Sequence, residues 1–140
     1  MVVIIPVAGY SLVAMLVPSQ IVTLQEPSVA LGTGYSLDSD QASAYLKQHY
    51  EGGTILMESF GNELVLFKAG IVTVPNLYEG SFRLWEPALA DPAGNDIHWI
   101  VMRGTDQADK VYQTLNGTPT LDSYRLVYQN DTYYVYEVEQ

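Results

Sequence analysis

The sequence contains no cysteine. That excludes disulfides, thiol nucleophiles and Cys-ligated zinc or iron–sulfur centres, and leaves the compartment open. Cations are scarce as well: six Lys and Arg stand against 16 Asp and Glu, for a formal charge of −10. Lys47, Lys68, Arg83, Arg103, Lys110 and Arg125 are scattered singly, so no basic patch is present to meet nucleic-acid phosphate. An anionic membrane surface is opposed by the same charge. The two histidines, His49 and His98, lie far apart and in no zinc-binding spacing. No metal site is expected.

Glycine-rich phosphate loops are missing too. Gly32-Thr33-Gly34 is the only dense glycine spot near the start, and it lacks both a third glycine and a preceding strand. There is no Walker pattern and no G-x-S-x-G elbow. Neither a nucleotide nor any other cofactor is expected, and no catalytic residue can be named.

Long apolar runs are limited to one, at residues 2–17, which carry no charge. As a helix they span about 24 Å, short of a hydrocarbon core about 30 Å thick. No basic region precedes the run and no clear small-residue cleavage site follows it, so it does not read as a secretory signal. We read it as the end of a transmembrane helix, with a buried helix or strand as the alternative. Residues 18–37, punctuated by Pro18, Pro27, Gly32 and Gly34, read as a connector with a short extended piece at 21–24.

What is present suits one domain over residues 38–140: the chain has 140 residues, 48% of them apolar. Asp38, with Gln41 three residues on, predicts a helix carrying Ala42, Tyr45, Leu46, His49 and Tyr50, stopped at Gly52-Gly53. Residues 54–57, 71–74 and 97–102 are short apolar runs that predict buried strands. Between them, Ser59-Phe60-Gly61-Asn62 predicts a turn, and Leu64, Val65 and Phe67 a short helix before Gly70. Ser81 predicts the cap of a helix bearing Leu84, Trp85 and Leu89, kept short by Pro87. Asp106 is placed as cap of a helix with Ala108, Val111, Tyr112 and Leu115, closed by Gly117. Residues 124–128 and 132–138 flank Asn130-Asp131, which predicts a hairpin. The expected fold is therefore α/β and three-layered: a largely parallel sheet with helices on both faces and a C-terminal antiparallel hairpin.

Two places concentrate polar chemistry. Glu58 ends the first predicted parallel strand and Arg103 the third, at the edge where open α/β sheets bind ligands. The pair could hold a sugar or a phosphate, or close loops as a salt bridge. In Tyr78-Glu79-Gly80-Ser81-Phe82-Arg83-Leu84-Trp85, aromatics beside polar groups are the makings of a carbohydrate platform or a protein contact, though Phe82 and Trp85 could serve only as core. Glu58, Tyr78, Glu79, Trp85 and Arg103 are the candidate ligand-binding residues. Asn116-Gly117-Thr118 and Asn130-Asp131-Thr132 are glycosylation triplets at expected turns, a pattern that also arises by chance.

The succession YLKQHYEGGTILMESFGNELVLFKAGI, LYEGSFRLWEPALADP, HWIVMRGTDQADKVYQTL and YRLVYQNDTYYVYE carries a resemblance. It resembles the C-terminal soluble regions of bacterial multi-pass glycosyltransferases of the dolichyl-phosphate-mannose protein mannosyltransferase-like group. IVTLQEP, after the apolar run, fits the junction between last membrane helix and soluble domain in that group. The resemblance implies a parent transferase that takes sugar from a polyprenyl-phosphate donor on the outer side of the cell membrane. That group's catalytic acids lie in loops between early membrane helices, which no part of this chain matches. The chain is then an extracytoplasmic accessory domain whose partners are the membrane portion of the parent and a glycan or lipid-linked sugar. The rival is a free-standing soluble α/β module that binds a ligand or a protein.

Overall fold

The computed structural model describes residues 34–59, 62–72, 76–105 and 108–139. The chain divides into two compact units, Met1–Gly34 and Tyr35–Gln140. The expectations for the apolar run at 2–17 and for the connector through residue 33 lie outside the described residues, as do Phe60, Gly61, Thr73, Val74 and Asp106. Among the described residues no helix is long and apolar enough to cross a membrane.

Helix α1 runs over Gly34–His49, starting four residues before the expected cap. Asp38 lies inside it, because its carboxylate accepts a hydrogen bond from the Thr132 hydroxyl and its carbonyl one from Asn130. Gly52 and Gly53 then take φ of 119° and 100°, conformations open chiefly to glycine, and turn the chain into β1, Thr54–Met57. Helix α2, Glu63–Ala69, ends on left-handed Gly70 in a Schellman motif. The Gly70 amide donates to the Phe67 carbonyl and the Ile71 amide to the Leu66 carbonyl, at 3.0 and 2.9 Å. Ile71 and Val72, the described part of the expected strand at 71–74, lie in no strand. Ile71 is committed to that helix end, and the second strand, β2, is Asn76–Leu77.

A 3₁₀ stretch, Glu79–Leu84, leads into α3, Trp85–Ala90. Pro87 is tolerated there because the first-turn amide it lacks has no partner within the helix. β3, Ile97–Arg103, is followed by α4, Lys110–Leu115, and by the hairpin β4, Tyr124–Gln129, and β5, Tyr133–Val138.

The fold is mixed α/β, with a five-stranded sheet in the order β2-β1-β3-β5-β4. β1 pairs in parallel with β2 and β3, while β3–β5 and β4–β5 are antiparallel. A sheet split this way is not largely parallel. The reason is β5, which returns from the hairpin to lie against the central strand. Two apolar clusters divide the core. Ala42 and Leu46 of α1 with Val65 and Leu66 of α2 join Ile55, Met57, Trp99 and Val101. Trp85 and Leu89 of α3 with Val111 and Leu115 of α4 join Leu56, Ile97, Ile100 and Met102. Residues 99–102 alternate between the clusters, as the period of a strand requires. That alternation is why residues 99–102 of β3 have to be apolar on both faces.

Candidate functional site

The parallel strands β1, β2 and β3 deliver their carboxyl ends to one edge. Register pairs Met57 with Val101 and Leu56 with Leu77. Continued by two residues, it sets Glu58 beside Glu79 on one flank, with Arg103 next along β3 on the other. Ser59, Asn62 and Asp109 complete the edge.

Its hydrogen bonds run from loop to loop. The Glu58 carboxylate accepts from the backbone amide of Lys110, the first residue of α4. The Glu79 carboxylate accepts from the Ser59 amide at 3.1 Å and from the Ser59 hydroxyl. Asp109, fully buried, accepts from the Arg103 amide at 2.8 Å, the Tyr112 amide at 2.9 Å and the Asn62 carboxamide at 3.1 Å. Each carboxylate thus fastens one chain segment to another.

The two glutamates are driven in opposite directions. Burial raises the Glu58 pKa against the Lys110 hydrogen bond; the charges of Asp109 and Glu79 reinforce the rise and Arg103 opposes it. Burial also pushes Glu79 up, but its hydrogen bonds with Ser59 outweigh that and hold it below its usual value. Ser59 and Glu79 have the form of a nucleophile and a base. A carboxylate held below its ordinary range is nevertheless a poor acceptor for a hydroxyl proton. Among the described residues no group of acids and histidines is placed to hold a metal ion.

The candidate residues divide accordingly. Glu58, Glu79 and Arg103 come together at the edge, with Arg103 itself buried. Tyr78 stands beside them, 40% exposed. Trp85 does not join them as a contact: it is 4% exposed and packs in the core with Leu89 and Ile100. The stretch that precedes it instead exposes Phe82, at 85% and with φ of 43°. Sequence reasoning missed Ser59, Asn62 and Asp109, and placed the α4 cap at Asp106. The signal was there in part: Asp109 stands three residues before Tyr112, the spacing at which a cap side chain reaches a backbone amide. Ala108, counted among the helix's apolar positions, is exposed and precedes the helix.

Comparison with family models, curated proteins and solved structures finds no match to this chain.

Proposed function

We propose that Tyr35–Gln140 is a non-catalytic accessory domain, on the extracytoplasmic side, of a membrane glycosyltransferase that uses a polyprenyl-phosphate sugar donor. The resemblance over residues 41–137 supports the parent, and the uncharged run at 2–17 supports the attachment. The observation that carries the accessory role is the lacing of the carboxyl edge. The acids at the usual ligand edge of an α/β sheet tie loops together through backbone amides, and the Ser59–Glu79 pair there is set for hydrogen bonding rather than proton removal. In this reading the helices form two outer layers about the sheet, three layers in all. Glu58, Tyr78 and Glu79 are the groups that meet a glycan or a lipid-linked sugar, their oxygens bonding its hydroxyls, with the buried Arg103 behind them as the charge that opposes the rise at Glu58.

Two measurements test the proposal. The purified 140-residue chain, incubated with polyprenyl-phosphate sugars, transfers nothing; transfer above a heat-treated control overturns the accessory role. The full chain floats with neutral lipid vesicles in a density gradient, and the chain without residues 2–17 does not. A full chain that stays at the bottom of the gradient removes the membrane attachment and favours the free-standing binding module.

A further inference from the structure

The two Asn-x-Thr triplets are alike as sequence and opposite as structure. Asn130 sits in the hairpin turn with every hydrogen-bonding position of its carboxamide in use. Its Nδ2 donates to the Asp38 carbonyl at 2.9 Å and to the Tyr128 hydroxyl at 3.0 Å. Its Oδ1 accepts from the amides of Thr132 and Tyr133 at 3.1 and 2.7 Å. Thr132 is buried, and its hydroxyl donates to the Asp38 carboxylate. Releasing Asn130 would strip several partners from half-buried groups and part α1 from the hairpin.

Asn116 has none of these ties. It is exposed at the C-terminus of α4, and no hydrogen bond to its carboxamide is present among the described residues. Its backbone is extended, with φ −60° and ψ 125°, and Gly117 follows at φ 70°. The turn therefore lifts the asparagine off the helix end. Thr118 donates its hydroxyl proton to the Leu115 carbonyl at 2.7 Å, which fixes the hydroxyl and leaves its oxygen able to accept. An open groove of about 500 Å³ runs beside Asn116, with Pro119, Leu121 and Tyr136 in its lining. Thr118 and Asp122 line it as well, so a sugar attached at Asn116 meets a mixed surface, with polar groups for its hydroxyls and the Tyr136 ring beside them.

We propose that Asn116 is an N-glycan acceptor, and that Asn130, despite the same triplet, is not one in the folded chain. The co-substrate is a lipid-linked oligosaccharide. Asn116 Nδ2 forms a bond to the anomeric carbon, the bond from that carbon to the lipid diphosphate breaks, and the diphosphate leaves with the electron pair. Nδ2 gives up one proton to a base of the transferring enzyme. The site lies at the opposite end of α4 from Glu58, about 9 Å along a helix of this length. A glycan there leaves the carboxyl edge uncovered. In the cell the modification rests on the extracytoplasmic reading, since the donor is used on that side; the geometry of the acceptor does not.

The test is therefore done outside the cell. The folded chain is incubated with a purified oligosaccharyltransferase and its lipid-linked oligosaccharide, and products are read by intact mass and by peptide mapping. The folded protein gains one glycan, on Asn116; Asn116→Gln loses it and Asn130→Gln keeps it. The urea-denatured chain gains glycans at both sites, which shows that the Asn130 triplet is competent once freed. A folded chain left unmodified while the denatured chain is modified at Asn116 overturns the proposal. So does a folded chain modified at Asn130 as readily as at Asn116. Either result leaves the vesicle assay, and the membrane reading with it, untouched.

Discussion

Glu58 and Glu79 meet at one edge, yet they have opposite pH behaviour: burial prevails over the single hydrogen bond at Glu58, whereas the Ser59 hydrogen bonds prevail over burial at Glu79. Glu79 is held below its ordinary value, so its contribution to stability is present above the unfolded pKa and is lost as pH falls through the folded one. Glu58 is raised, so its favourable share is complete below the unfolded pKa and is lost as pH rises through the folded one. Glu79→Gln is therefore expected to lower the urea midpoint at pH 7 and to leave it unchanged at the acid end of the carboxylate range. Glu58→Gln is expected to flatten the fall in stability on going from mildly acid to neutral pH. Urea titrations of both variants across that range check the signs. Identical pH profiles for the two would show that the loops are not tied as described.

Gly53 is a second residue-scale constraint. Its φ of 100° is strained for any side chain, and a Cβ there would lie 2.6 Å from the His98 Cβ. Gly52 has similar backbone strain but open space around it. Gly53→Ala is expected to be the more destabilising of the two by about 1–3 kcal/mol, the size of a local steric conflict in a packed region. Equal midpoints would show that His98 moves aside freely. Both glycines were visible in the sequence as a helix stop. That the second one packs under His98, a residue 45 positions away in the chain, was not.

At the scale of elements, one buried side chain ties the start of α4 to two other elements. Asp109 caps the helix, ends β3 through the Arg103 amide and orients Asn62 at the start of α2. Removing it leaves two backbone amides and a carboxamide without an acceptor in a dry region. Asp109→Ala is expected to cost about 2–4 kcal/mol, a lost cap plus unsatisfied buried donors, read as a lower urea midpoint with the slope preserved. A change under about 0.5 kcal/mol would place the aspartate at an ordinary surface position. Elements whose signal is local were legible: α2, β1, β3 and the hairpin fall where period and turn chemistry put them. What misled the reading was competition for the same residues. Ile71 has the β-branched side chain of a strand but closes a Schellman motif. Asp38 has the side chain of a cap but bonds the hairpin turn. The first is a local helix-end bond to Leu66 that competes with the strand propensity of Ile71, and the second depends on a partner distant in sequence; hydrophobic periodicity encodes neither. The carboxyl edge was legible for the same reason in reverse: Glu58 and Arg103 follow clear strands, whereas Asn62 and Asp109 acquire their role only when those strands pair.

The molecule as a whole poses one question that deletion answers. Residues 2–17 are apolar enough either to end a membrane crossing or to fill a core, and the two cases have different energetic consequences. Each fully buried aliphatic side chain contributes about 1.5–3 kcal/mol, so several lost together would rival the 5–15 kcal/mol that holds a typical domain folded. A membrane segment contributes none of this to the soluble unit. Under the accessory-domain proposal, deleting residues 2–17 is expected to raise solubility while Tyr35–Gln140 still unfolds cooperatively. Its melting temperature should stay within a few degrees of the full chain's in mild detergent, since about 1 kcal/mol corresponds to about 4–8 °C for a unit of this size. Calorimetry on both chains decides it. A fall of tens of degrees, or loss of a cooperative transition, would mean that the run is part of the core. The membrane attachment would then be wrong, and a free-standing binding module would take its place.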